Sequence, residues 1–261
     1  MPLSWDPAQP RSWLLALLIW LALILLHRLT LYRAFRRGPR GDAVTGFAWY
    51  IARIVGRLVH HVTFENAGIV PDTNDPGGLI VVSNHTGPVD PVLIQAGCRF
   101  HIRWMMASDM MTPGADWVWR LADVIPVERS GRDLTPTREA IRHVKAGKVL
   151  GIFPEGRIVT PPREIRPFAS GVGLIIARAK APVLLCWVSG TPETLDTVRG
   201  IITPSRARVR FVERIDFGGE TDAEAITRTL RQRLAEVSGW PLNDDPLPPR
   251  PAERRPDPFL V

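Results

Sequence analysis

A chain of 261 residues suffices for one sizeable domain, and a 45% apolar content excludes a polytopic membrane protein on bulk hydrophobicity. Its two cysteines, Cys98 and Cys186, stand in no CxxC or Cys/His cluster, which excludes a thiol-based metal site and reads as two buried, reduced thiols. The formal charge of +7 calls for polyanionic partners: nucleic acid, an anionic membrane or phosphate-bearing substrates. Nine Trp against two Tyr, several of them near the N-terminus, favour the membrane interface.

The first element is an uncharged run, WLLALLIWLALILL, over residues 13–26. At 1.5 Å per residue it reaches about 21 Å, short of a hydrocarbon core of about 30 Å. Extension to Leu31 reaches that length if His27 and Arg28 snorkel. A cleaved signal peptide lacks its small-x-small site here, so a retained anchor is expected, either a tilted span or a helix lodged in one leaflet. Arg28, Arg33, Arg36, Arg37 and Arg40 follow it and place the active domain on the cytoplasmic side, against anionic head groups.

A second helix is predicted over 47–62. Phe47, Tyr50, Ile51, Ile54, Val55, Leu58 and Val62 recur on one stripe, and Arg53, Arg57 and His60 share the other face. It fits either an interfacial helix or a surface helix packed on the domain. From residue 79 short apolar runs alternate with helical stretches. Strands are predicted at 79–83, 101–105, 124–127, 149–153, 183–188 and 207–212. Helices are predicted at 91–98, 113–121, 137–146, 171–179 and 222–237. This alternation predicts an α/β domain with a largely parallel mixed sheet flanked by helices. The expected organisation is an N-terminal anchor with amphipathic helix (1–66), an α/β domain (67–240) and a disordered Pro-rich tail (241–261).

The first strand ends in Ser83-Asn84-His85-Thr86-Gly87-Pro88-Val89-Asp90-Pro91. Carboxyl ends of strands are where open α/β sheets build ligand sites. A histidine titrates near neutrality and can take a proton from an alcohol. Asp90, five residues on and across a Gly-Pro turn, is placed to fold back on the imidazole and fix its tautomer. The same Asp90-Pro91 pair also suits a plain helix start, with Asp as N-cap and Pro at N1. A second strand ends in Phe153-Pro154-Glu155-Gly156-Arg157, where Gly156 allows close backbone approach and Arg157 offers a donor fork for phosphate. Glu155 is costly to bury unless it meets Arg157 or a substrate hydroxyl. Arg129 ends a third strand, and Arg132, Arg163 and Arg166 suit either a basic rim or plain solvated charges, the latter expected for most of them.

These elements together resemble the glycerolipid acyltransferase family, which includes the lysophosphatidic acid acyltransferases. Asn84-His85 with Asp90 resembles its NHxxxxD block, and Phe153-Pro154-Glu155-Gly156 its FPEG block, in the same order and at similar separation. Arg129 falls at the arginine of the GxxFxxR-type block, and Pro182-Val183 resembles the fourth block. The sequence departs from the pattern at Asp123 and Pro126, which stand for its Gly and Phe, and at Arg157 directly after Gly156. The resemblance implies a glycerol-3-phosphate-acyltransferase-like core behind a membrane-associated two-helix segment. It implies acyl transfer from acyl-CoA or acyl carrier protein, as co-substrate, to the hydroxyl of a lysophospholipid, with 1-acylglycerol-3-phosphate the expected acceptor. It assigns His85 as base and Asp90 as its orienting partner. Asn84, Arg129, Phe153, Pro154, Glu155, Gly156 and Arg157 are assigned to substrate binding. No cofactor or metal is implied, since HExxH is missing and His60-His61 are adjacent, and no covalent acyl-enzyme is implied, since no GxSxG nucleophile elbow occurs. An amino-lipid or glycolipid acceptor is an alternative, as is a non-catalytic phospholipid-binding protein. Nucleic-acid binding lacks any helix-turn-helix, zinc-finger or RNP pattern.

Overall fold

The computed structural model describes residues 10–111, 114–128, 133–159 and 163–245. Arg129, Arg132 and the end of the tail, from residue 246 on, lie outside the described residues.

The chain opens with helix α1 (Pro10–Leu26), a π-helical turn (His27–Tyr32) and a short α2 (Arg33–Phe35). Together they form one 26-residue rod, none of whose most apolar window is buried. At 1.5 Å per residue the rod is about 39 Å long, enough to reach across a bilayer core, with Arg28 and Arg33 in its last third left to snorkel toward the head groups. It is long and apolar enough to cross a membrane.

After a turn at Gly38 and Gly41, Asp42 caps helix α3 (Ala43–Leu58), its carboxylate accepting from Val44 N at 3.0 Å and Thr45 N at 2.9 Å. The helix begins four residues before the expected start because this cap sets it. It ends at Leu58, and His60, expected on its basic face, instead turns into the domain, wholly buried. There His60 bonds Ser205 Oγ at 2.9 Å and the Ile201 carbonyl at 3.0 Å.

The elements that follow are β1 (Thr63–Glu65), β2 (Leu79–Ser83), α4 (Asp90–Ala96), β3 (Ile102–Ala107), α5 (Asp116–Ala122), β4 (Ile125–Val127), α6 (Thr135–Lys145), β5 (Val149–Ile152), α7 (Gly171–Ala179), β6 (Val183–Ser189), α8 (Thr197–Ile202), β7 (Arg208–Ile215) and α9 (Ala223–Ser238). They build a seven-stranded sheet in the order β1-β7-β6-β2-β5-β3-β4. β6, β2, β5, β3 and β4 run parallel; β7 is antiparallel to β6, and β1 pairs parallel to β7.

Every residue of β2 is buried, as a central parallel strand covered on both faces requires. On one face Ile80, Val82, Leu150 and Leu185 pack with residues of α6, α7 and α9. On the other, Leu79, Val81 and Leu184 pack with Leu93 and Ile94 of α4. The chain therefore leaves β2 toward the α4 face and leaves the adjacent β5 toward the α7 face. Neighbouring strands whose connections part in this way open a crevice at their carboxyl ends, the address at which doubly wound sheets hold ligands.

Candidate active site

The crevice is lined by the two segments that the motifs single out. β2 delivers Asn84 and His85, and β5 delivers Phe153 to Arg157. His85 Nδ1 lies 2.9 Å from Asp90 Oδ2. That same oxygen accepts from Thr86 N at 2.6 Å and Gly87 N at 2.9 Å. Asp90 is fully buried, so its charge rests on these donors and on the imidazole. Its carboxylate points back into the loop; it does not cap α4, whose first residue it is. A carboxylate only accepts, so Nδ1 carries the proton and Nε2 is left as the basic nitrogen.

The imidazole ring is 16% exposed and lies flat on Phe153, centroids 4.0 Å apart at 13°. Trp104, from β3, stacks beneath Phe153 at 4.6 Å and 9°. Gly151 makes room for that indole, since a Cβ there would fall 2.4 Å from the Trp104 ring. Three stacked rings thus fix the plane of His85 while Asp90 fixes its rotation.

Glu155 is 8% exposed and accepts from the His85 backbone N–H at 2.8 Å through Oε2. Burial, together with the nearby Asp90 charge, raises its pKa well above the ordinary carboxylate range, while the His85 N–H works the other way. This backbone donor is a partner for Glu155 beyond the Arg157 or substrate hydroxyl that the sequence suggests. Val159 N also bonds the His85 carbonyl at 2.9 Å, so the segment bearing half-buried Arg157 is strapped on both sides to the His85 loop. Gly156 sits at φ 69°, exposed, in the left-handed conformation that lets the chain turn between Glu155 and Arg157.

Asn84, expected at the substrate, has both ends of its amide committed to β6. Oδ1 accepts from Val188 N and Nδ2 donates to Val188 O, each at 2.8 Å. Pro154 is buried, its carbonyl accepting from Ala169 N at 2.8 Å. Arg129 is among the residues not described. The two departures in its block have local reasons. Asp123 holds the left-handed conformation (φ 52°) in which Gly is usual, and its carboxylate pairs with Arg103 at 3.2 Å. Pro126 lies on β4, an edge strand, where a missing N–H is tolerated. The sequence reading missed Trp104 and Thr191, whose hydroxyl meets Thr86 Oγ1 at 2.9 Å. The apolar run through Trp104 was legible as a strand, but nothing local marks which of its residues faces the crevice.

Among the described residues no group of three or more His, Cys, Asp or Glu is arranged to hold a metal ion. Both cysteines are buried and unpaired. The arrangement is a buried carboxylate and a stacked imidazole beside an arginine-bearing turn, suited to taking a proton from a hydroxyl or amine.

Residues 61–189 match the family model described as Acyltransferase. The chain is 26% identical over 223 residues to the N-acylphosphatidylethanolamine synthase of Arabidopsis thaliana, covering 77% of this chain and 78% of that one. Among solved structures it superposes on the 1-acyl-sn-glycerophosphate (LPA) acyltransferase PlsC from Thermotoga maritima with a TM-score of 0.61. That match is 22% identical and covers 76% of this chain and 80% of the other, so it bears on the fold.

Proposed function

We propose, for a chain that belongs to the glycerolipid acyltransferase family, that it moves a fatty acyl group from acyl-CoA or acyl carrier protein to the hydroxyl of a lysophospholipid, 1-acylglycerol-3-phosphate being the acceptor that fits best. The observation that carries this reading is the 2.9 Å contact of His85 Nδ1 with Asp90 at the mouth shared by β2 and β5. His85 Nε2 takes the acceptor's hydroxyl proton, and Asp90 stabilises the imidazolium that results. The acceptor oxygen attacks the thioester carbonyl, the C–O bond forms, the C–S bond breaks, and the leaving thiolate recovers the proton from His85. Arg129 and Arg157 hold the acceptor phosphate, and backbone N–H groups near the strand ends stabilise the oxyanion.

The acceptor is insoluble, and the N-terminal segment supplies the means to meet it. Val44, Phe47, Ile51, Ile54 and Leu58 all lie exposed on one side of α3. A water-facing helix turns such a stripe inward; outward, it fits the plane of a membrane. Arg28, Arg33, Arg36 and Arg37 line a cleft of about 470 Å³ at the end of the apolar rod, suited to anionic head groups on the cytoplasmic side.

The likeness to an N-acylphosphatidylethanolamine synthase supports a second reading, in which the acceptor is the amine of an aminophospholipid. One experiment separates these readings from each other and from a non-catalytic lipid binder. Thiol release from acyl-CoA is followed with lysophosphatidic acid or phosphatidylethanolamine as acceptor, wild type beside His85→Ala. The hydroxyl reading expects release with lysophosphatidic acid, reduced at least 10²-fold by removing the base. Release with phosphatidylethanolamine alone transfers the assignment to the amine, and turnover unchanged in His85→Ala removes the proposed base.

A further inference from the structure

A second outward apolar face lies beside the site, on α8, which the sequence reading had missed. Asp196 caps this short helix by accepting from Arg199 N at 2.7 Å. Val198 and Ile202 are four residues apart and so share a side. They are 66% and 63% exposed, and Leu195, just before the cap, is 44% exposed. Gly200, midway between them, faces inward. It is buried, and a Cβ there would fall 2.4 Å from Pro88 Cγ. The helix therefore rests directly on the loop that carries His85 and Asp90.

Its far end is tied to the exit of α3. His60 bonds the Ile201 carbonyl, and Ser205 N donates to the Val59 carbonyl at 3.1 Å. Leu58, the last member of the outward stripe on α3 and itself 66% exposed, lies in the chain just before this tie. Exposed Arg57, Arg199 and Arg206 lie on these segments of the chain, against exposed Glu193 and an Asp196 whose Oδ1 accepts in the cap. Apolar side chains that face outward on a helix tied to the exit of α3, with arginines on the same segments, fit the head-group layer of an anionic bilayer.

We infer that α8 is a membrane contact distinct from the N-terminal helices: Val198 and Ile202 enter the head-group boundary of an anionic bilayer and hold the His85 loop against it. The inference rests on the reading of a bilayer-resident acceptor, and it adds that the acyltransfer core itself touches the lipid. An acceptor then reaches His85 by lateral movement, with its acyl chain still among lipid tails.

The test uses the full chain reconstituted with vesicles of phosphatidylcholine and phosphatidylglycerol. Single cysteines at Val198→Cys, Ile202→Cys and Gln232→Cys carry an environment-sensitive fluorophore. Native Cys98 and Cys186 are buried and escape labelling. Gln232 is exposed on α9, which packs on the opposite face of the sheet from α4, and serves as the dry control. Brominated lipids are expected to quench the probes at 198 and 202 at least threefold more than the probe at 232, and more so with phosphatidylglycerol present. Equal quenching at 198 and 232 overturns the inference, all the more plainly if a probe at Ile54→Cys on α3 is quenched. Selective quenching at 198 in a chain that releases no thiol from acyl-CoA upholds the docking and strikes the acyl-transfer reading alone.

Discussion

Asp90 Oδ2 takes its three shortest bonds, at 2.9 Å or less, from the His85 imidazole and the backbone N–H groups of Thr86 and Gly87. An asparagine can offer its amide oxygen at the same place and keep all three bonds, but it brings no negative charge. Asp90→Asn is therefore expected to keep its circular dichroism and melting temperature while turnover falls by about 10³-fold or more, the cost of an imidazolium left without its counter-charge. A parallel loss of fold and activity would show that the carboxylate serves only the loop. Asp90→Ala differs, because it leaves two buried N–H groups unpaired at about 1–3 kcal/mol each. The pairing of His85 with Asp90 was legible because the partners are five residues apart across a turn. The fate of Glu155 was not. Its partner is a backbone N–H 70 residues away, and side-chain chemistry gives no hint of where a main-chain donor will arrive.

At the scale of elements, α3 reverses the polarity of a soluble surface helix. Its inner side is built from small and interfacial residues. Trp49 Nε1 donates to the carbonyls of Gln95 and Cys98 at 3.1 and 2.9 Å, and Gly56 lies against Leu93 of α4. Where the rod folds back on α3, Gly46 touches the main chain of Phe35 so closely that a Cβ would sit 1.7 Å from its carbonyl oxygen. Phe35 then packs on Phe47 and Tyr50, with centroids 5.5 and 5.7 Å apart. Gly46→Val is expected to prise this elbow open. Spin labels at exposed Leu31 and Ile51 should report a longer and broader distance in Gly46→Val than in wild type. An unchanged distribution would mean that the elbow does not depend on this approach. The 3.6-residue period of α3 was readable, but its direction was not, because a stripe facing outward and one facing a core have the same pattern. Strands β2 and β5 were legible as apolar runs buried on both faces. The three residues of β1 and the Gly-centred α8 are too short to carry any period.

Across the whole molecule, protonation sets a pH window. His60, His101 and His143 all have pKa values lowered chiefly by burial, and His101, under the further influence of Arg40, falls to about 4. An unfolded chain binds protons at these positions below the ordinary value of 6.5, where the folded chain does not. Stability is thus present at neutral pH and lost as pH falls from 6.5 toward 4. Glu155 acts in the opposite sense. Its raised pKa lets the folded chain hold a proton that the unfolded chain releases above about 4.5, so its contribution declines as pH rises. Melting temperatures of the vesicle-bound chain at pH 7 and 5 should show the acid loss, and His101→Asn should flatten it. An equal slope in both proteins would exclude His101 as a source.

The order of the strands has a consequence for biosynthesis. β5 lies between β2 and β3, both of which precede it in the chain, so the two earlier strands have no pairing with each other to wait in. Until Ile152 leaves the ribosome, the nascent protein holds an imidazole with its carboxylate but no aromatic floor and no strapping turn. A chain that has made β2 and β3 but not β5 thus keeps two unmated strand edges and cannot complete the crevice until that one strand inserts between them.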